Sequence, residues 1–388
     1  MGRIAVTADR SGAPPVRDWA APASGGIHTR VHAAAEAIDA LAAEWTALAA
    51  EASEPNPFAE HWFIAASLPH MAAGREIRLI EVRRAGRLIG LLPVTVDTGY
   101  ARLPVGLVRN WSHDQMFLGT PLVVAGEERA FWAAVLDTLD RADWAPNFLH
   151  VRGLAEGGPV HRGLAAARRG AIVYREVRAL LESDLDARAY YQRTVRQKKR
   201  KEIRRLRGRL ADLGPVRSRI LDDPAALDSW CDAYLALEKA GWKGAAGSAL
   251  ACDPGAEAFF RAAVRAAWDA GRLQFLRLDL GDRAIAMLVN FLTPPGSFSF
   301  KTVFDEAYAR FSPGVLIQLD NLAILDRTDI AWMDSCASQD HPMIDSLWTG
   351  RRSVVRVTVP LKGLRRTATL ALCRALEMGS AALRKLAR

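Results

Sequence analysis

Cysteine is scarce in this chain and thinly spread. Cys231, Cys252, Cys336 and Cys373 are the four among 388 residues, and no C-x-x-C occurs. The sequence therefore encodes no disulfide framework and no thiolate metal knuckle, and the four read as free thiols in a reducing cytoplasm. Long hydrophobic runs are missing too: none approaches the roughly 18–20 residues of a membrane-spanning helix. Residues 1–26 are rich in Ala, Gly and Pro and lack the apolar block of a signal peptide, so residues 1–30 are expected to be a disordered tail. The histidines lack zinc-ligand spacing apart from His28/His32 at the edge of that tail, and no metal is expected.

Acid is lacking in one place above all. The net charge is +9, yet residues 188–210 hold eleven Lys/Arg against Glu202 alone, a local balance of +10 that leaves about −1 for everything else. The chain is thus not uniformly basic; it carries one basic helix. Val195, Ile203, Leu206 and Leu210 give that helix an apolar stripe. Residues 361–388 repeat the pattern, with seven Lys/Arg against Glu377 and with Leu372, Leu376, Leu383 and Leu386 near one helical face. Two basic amphipathic elements without a membrane span fit a cytoplasmic protein peripheral on the inner membrane face, docking on anionic lipid. A solvated helix face, an anionic polymer or tRNA are the alternatives.

The most informative stretch lies between residues 298 and 325. An apolar, strand-like run (298–304) leads through Asp305 and Glu306 to Arg310-Phe-Ser-Pro-Gly314 and a helix-like run over 315–325. Ser312 suits an N-cap, Pro313 suits the first helical position, and Gly314 allows close backbone approach. A helix N-terminus with Arg310 beside it suits a phosphate group.

Around this stretch, residues 32–52, 127–142, 188–210, 225–240 and 256–270 read as helices. Residues 77–84 with 87–94, and 273–280 with 283–292, read as two hairpins turning at Ala85-Gly86 and Gly281-Asp282. Residues 147–151 and 330–333 read as strands. Gly86-Arg-Leu-Ile-Gly90 aligns with Asp282-Arg-Ala-Ile-Ala286, which suggests a duplicated α/β unit. Only the second copy continues into Ser-Pro-Gly; the first continues into a polar loop, residues 110–119.

With these pieces in place the chain resembles the GNAT acyltransferases, in particular their duplicated FemAB-like and CelD-type (BioF-like) branch. The matching residues are Leu237-Glu-Lys-Ala-Gly-Trp-Lys-Gly244, Gly281-Asp-Arg-Ala-Ile-Ala286, Lys301-Thr-Val-Phe-Asp-Glu306, Tyr308-Ala-Arg-Phe-Ser-Pro-Gly-Val-Leu316, and Asp334-Ser-Cys-Ala with His341-Pro-Met-Ile-Asp-Ser-Leu-Trp348. The resemblance implies an α/β (α+β) fold of two tandem GNAT-like domains, each a mixed central sheet flanked by helices. The expected boundaries are 31–178 and 179–360, followed by the basic helix 361–388. It implies no permanently bound cofactor and acyl-CoA or acetyl-CoA as co-substrate. The donor pyrophosphate would rest on Arg310, Ser312, Pro313, Gly314, Val315 and Leu316.

Acyl transfer to an amine requires a polarised thioester carbonyl and removal of a proton. His341 and Asp345, four apart, are the expected base and its orienting carboxylate. Asp334, at a strand end, is a second base or a partner for the acceptor's ammonium, and Lys301 is a cation facing donor or acceptor. Trp242, Lys243, Asp305 and Glu306 are candidate acceptor contacts. Trp111, His113 and Asp114 would wall a cleft between the halves, a solvated loop being the blander reading. The acceptor is expected to be a lipid base, as in ceramide-type N-acylation, or an amino sugar of a surface glycan. A FemAB-like transferase using aminoacyl-tRNA and a non-catalytic accessory protein of polysaccharide synthesis stand as alternatives.

Overall fold

The computed structural model describes residues 26–100 and 103–386. The expected tail lies largely outside them, but its last part does not: β1 (Ile27–Ala33) opens the sheet. The first unit continues with β2 (Arg78–Arg84), β3 (Arg87–Asp97), β4 (Leu107–Asn110), β5 (Leu122–Val123), β6 (Phe148–Ala155) and β7 (Ala171–Glu182). The second contains β8 (Val216–Ile220), β9 (Leu273–Leu280), β10 (Arg283–Thr293), β11 (Gly296–Phe304), β12 (Trp332–Asp334) and β13 (Gly350–Pro360).

All thirteen strands join one sheet in the order β1-β2-β3-β4-β6-β13-β7-β12-β11-β10-β9-β8, with β5 paired to β3. Read from its two ends the order repeats: an antiparallel run, one parallel pair (β4 with β6, β11 with β12), then a closing antiparallel strand. The closing strands are exchanged. β7, from the first unit, pairs with β12 of the second, while β13, from the second, inserts between β6 and β7. This is the tandem mixed α/β architecture expected from the duplicated hairpins. The boundary expected at 178/179 falls inside β7, because each unit completes its sheet with the other's last strand.

Local chemistry explains most elements. Ala85 and Gly86 both have positive φ, as a two-residue turn between twisted strands requires. Asp253 accepts hydrogen bonds from the Gly255 and Ala256 amides, and Pro254 occupies the first position of helix Pro254–Asp269. The helix expected over 32–52 is instead β1 followed by helices Ala34–Ala37 and Ala42–Glu51. The basic helix is two helices, Ala187–Thr194 and Gln197–Ala211, broken where Val195 turns extended and buries its side chain. The helix expected over 315–325 is α-helical only across Pro313–Asp320 and continues as a 3₁₀ turn.

An aromatic cluster fastens the units together. Phe58, Trp62 and Phe63 of the first pack edge-on against Phe291 of the second, and Phe58 also meets Phe298 and Phe300. Beneath it, buried Glu60 accepts from Thr293 Oγ1 at 2.6 Å and Trp62 Nε1 at 2.8 Å, and pairs with Arg272 at 3.2 Å. Every polar group in that contact has a partner, as burial demands.

Candidate active site

β11 pairs with β12 only through Gly296, Ser297 and Phe298, and from Ser299 onward its pairing is with β10 alone. The strand has a bulge there: Ser299 and Lys301 face consecutive β10 residues, so Phe300 is the extra residue. The result is an open strand edge beside the helix Pro313–Asp320. β4 and β6 part in the same way in the first unit after two paired residues.

Lys301 sits at the second opening. Its side chain is only 14% exposed, and Nζ lies 3.8 Å from Glu238 Oε1. That buried carboxylate also accepts from Lys243 Nζ at 2.9 Å and, through Oε2, from the Leu250 amide at 2.8 Å. Burial, followed by repulsion from Lys243, pulls the Lys301 pKa down to about 8. Glu238 and Asp114 oppose that shift, so Asp114 of the first unit acts on a lysine of the second. Behind Glu238, the Tyr234 hydroxyl is buried without a hydrogen-bond partner, and burial raises its pKa well above normal.

A cavity of about 570 Å³ opens in the first unit, lined by β4, β6, β7, β13 and the loop after β4. That loop is pinned to β6. Asn110 Nδ2 donates to the Gly119 and Arg152 carbonyls, and the Gly119 amide donates to the Gly153 carbonyl at 2.9 Å. A Cβ on Gly119 would lie 2.1 Å from the Arg152 carbonyl oxygen, and Gly153 has a φ of +78°, so both positions need glycine. His113 and Asp114 project from the pinned loop. His113 stacks on Phe63, accepts from the Gln115 amide at Nδ1 and bonds Ser67 Oγ through Nε2 at 3.1 Å. Burial pulls its pKa down to about 3, so it stays neutral and is a fixed wall rather than an acid.

The remaining sequence candidates form a second group. Ser312 is not a side-chain cap: it takes a left-handed conformation, and its carbonyl accepts from the Val315 and Leu316 amides. Those two N–H groups, expected to meet the donor, are already engaged. Pro313 and Gly314 are buried, and a Cβ on Gly314 would meet Met343 Sδ at 2.9 Å and the Phe304 ring at 3.2 Å. The close approach Gly314 permits is therefore made by protein. Arg310 lies over the Phe311 ring. His341 leads the short helix Pro342–Asp345, with Nδ1 buried and unpartnered. The expected His341–Asp345 side-chain bond is absent among the described residues, since Asp345 reaches Arg351 at 3.1 Å. Asp334 is fully buried; Oδ1 caps the Cys336 amide at 2.8 Å and Oδ2 lies 3.3 Å from Arg352, roles that hold the end of β12.

Glu306 accepts from the amide of Trp242, whose side chain is exposed, which brings those two candidates together. Asp305 caps Ala307 and pairs with Arg283 at 2.6 Å, a turn-holding role. Glu238 and the cavity arginines went unassigned in the sequence. The available signal was charge inside otherwise apolar strands, as at Arg152 and Arg356.

Residues 197–341 match the family model described as an acetyltransferase (GNAT) domain. The second unit thus carries a GNAT-type acetyltransferase domain, which supports an N-acyltransferase activity. Three solved structures share the chain's fold. FemX is 11% identical over 82% of this chain and 96% of its own, with a TM-score of 0.57. A protein of unknown function from Bacteroides thetaiotaomicron is 11% identical over 82% and 97%, with a TM-score of 0.53. The C-terminal domain of a protein assigned as a lysylphosphatidylglycerol synthetase from Agrobacterium fabrum is 10% identical over 88% and 97%, at 0.52. No curated protein matches the sequence. The GNAT match spans β8 to β12 and contains Lys301, Glu238 and Lys243, so the recognised domain and the buried lysine site coincide. No helix among the described residues is long and apolar enough to cross a membrane.

Proposed function

We propose that the enzyme transfers an acyl group from acyl-CoA to the primary amine of an acceptor seated in the first unit's cavity, with Lys301 beside the reacting carbonyl. The observation that carries this reading is the buried Lys301 on the bulged strand of the GNAT domain, within electrostatic reach of Asp114, which lines the cavity. In this scheme Asp114 receives the acceptor's ammonium. Once that ammonium has lost its proton to solvent, the amine nitrogen attacks the thioester carbon. The C–N bond forms, the C–S bond breaks, and the proton shed by the now positively charged nitrogen balances the departing thiolate, which leaves as the free CoA thiol. Lys301, poorly solvated and only partly neutralised by a carboxylate shared with Lys243, stabilises negative charge on the carbonyl oxygen.

Of the two acceptors left open by the sequence, the geometry favours the amino sugar. A long aliphatic base needs a continuous apolar channel, whereas this cavity sets five arginines with Asp114 and Glu176 among its apolar lining residues such as Met116, Phe117 and Val354. Thermal stability with acetyl-CoA, a long-chain acyl-CoA and free CoA tests the donor, because a ligand that binds only the folded state raises the midpoint. The reading expects all three to raise it. If none does, the acyl-CoA donor is wrong and aminoacyl-tRNA becomes the donor to test.

For the basic helices, we propose contact with an anionic membrane surface. The residues Lys198, Lys201 and Arg204 are exposed, as are Leu364, Leu372 and Leu376 on the C-terminal helix Leu364–Leu386.

A further inference from the structure

The cavity wall contains a like-charge contact that the protein leaves unbalanced. In the register of β6 against β13, Arg152 stands directly opposite Arg356. Directly opposed like charges destabilise a sheet. Neither guanidinium has a carboxylate within ion-pair distance among the described residues: Arg356 lies over the Tyr174 ring, and Arg152 Nε is buried without a partner. Arg109 adds a third cation on the neighbouring β4. It is 2.8 Å from Asp97, but that carboxylate is shared with Arg75 at 2.9 Å. Burial, and after it repulsion from Arg356, lowers the pKa of Arg152; burial and the charges of Arg152, Arg356 and Arg109 pull His150 on the same strand down to about 3. Three half-buried cations, with Asp97 the counter-charge shared by Arg109 and Arg152, are unfavourable unless something anionic arrives.

We infer that this cavity is an anion subsite, in which Arg152 and Arg356 clamp a phosphate or pyrophosphate ester carried by the acceptor. The inference rests on the proposed placing of the acceptor in the first unit and adds its chemical class. Two planar guanidiniums carried at directly opposed strand positions on one cavity wall suit the several oxygens of a phosphate group, which can accept paired N–H bonds from each. Tyr174, held against Arg356, closes one side. The donor is placed at the separate opening beside β11, so the two substrates approach Lys301 from opposite units.

The experiment is calorimetric titration of the full chain with pyrophosphate and with UDP, and flotation with phosphatidylglycerol vesicles, for wild type and the double variant Arg152→Gln/Arg356→Gln. Saturable binding of pyrophosphate by wild type, weakened at least tenfold in the variant and unaffected by saturating CoA, is expected. Tighter binding of UDP than pyrophosphate would assign the phosphate to a nucleotide-linked acceptor; displacement of pyrophosphate by vesicles would assign it to a lipid headgroup. Removal of the opposed charges should also raise the unliganded melting midpoint, which separates lost binding from lost folding. Absence of pyrophosphate binding by wild type, equal binding by the variant, or displacement by CoA overturns the inference. Because the readout is binding, it stands or falls apart from acyl transfer. An enzyme inert toward every acyl-CoA that still binds pyrophosphate here would sink the proposed reaction and keep the subsite.

Discussion

Replacing Lys301 with Met should make the protein more stable and inactive at once. An ordinary lysine titrates near 10.5, and Lys301 near 8. Each pH unit between those values is worth about 1.4 kcal/mol, so holding this side chain charged in the fold costs about 3 kcal/mol at neutral pH. The sign follows from proton counting. Between pH 8 and 10.5 the unfolded chain binds the proton that the folded chain has lost, so wild-type stability rises with pH across that window. Methionine has similar length and no charge, and Glu238 keeps Lys243 at 2.9 Å and the Leu250 amide, so no carboxylate is orphaned. For 388 residues, at about 2 cal/mol/K per residue, 3 kcal/mol corresponds to a melting midpoint higher by about 4 °C. The assay is thermal unfolding of both proteins from pH 7 to 10.5, with turnover measured in parallel. The gap should be largest at pH 7 and close by pH 10.5. A variant less stable than wild type, or a gap that ignores pH, would refute the argument from burial; full activity would remove Lys301 from the reaction.

Other expectations follow from the same geometry. Wild-type turnover should fall as pH rises through about 8, where Lys301 loses its charge, and a profile still climbing at pH 9 would argue for a neutral base instead. His341→Ala should leave kcat near normal, because the amine proton goes to solvent and the unpartnered imidazole has no step; a fall of about 10²–10⁴-fold would make it the base instead. Gly119→Ala drives a Cβ into the Arg152 carbonyl at 2.1 Å and should cost about 2–3 kcal/mol while weakening acceptor binding; chemical denaturation and the acceptor KM report the two effects. Reversing the charges of Lys198, Lys201 and Arg204 should lower partitioning onto anionic vesicles, and unchanged partitioning would make that helix a solvated face.

Much of the fold could be read locally. The Ala85-Gly86 and Gly281-Asp282 turns announce their hairpins, and the capped start of Pro254–Asp269 announces its helix. The exchange of β7 and β13 could not. Its pairing joins residues about 180 apart, such as Arg175 and Val355, and both strands mix arginines with apolar residues in no regular alternation that would mark them as strands. Lys301 was legible because a lysine in the apolar run Phe298–Val303 needs a reason. The Ser312–Gly314 turn carried the right residues for a phosphate cradle, yet Met343 and Phe304 pack where a ligand was expected. Packing from a segment thirty residues downstream decides that, and no local pattern encodes it. The arginine cavity was hidden for a related reason: Arg109 and Arg152 lie on paired strands of the first unit, but only the exchange of β13 brings Arg356 to them.

The central claim is that the GNAT domain, through Lys301, passes an acyl group from CoA to an amine. Release of free CoA thiol from acetyl-CoA and long-chain acyl-CoA, with and without an amino-sugar acceptor and without any tRNA, tests it most directly. The account predicts thiol release that depends on the amine and disappears in Lys301→Met. Release that is equal in the variant, or that no amine elicits from any acyl-CoA, would contradict it.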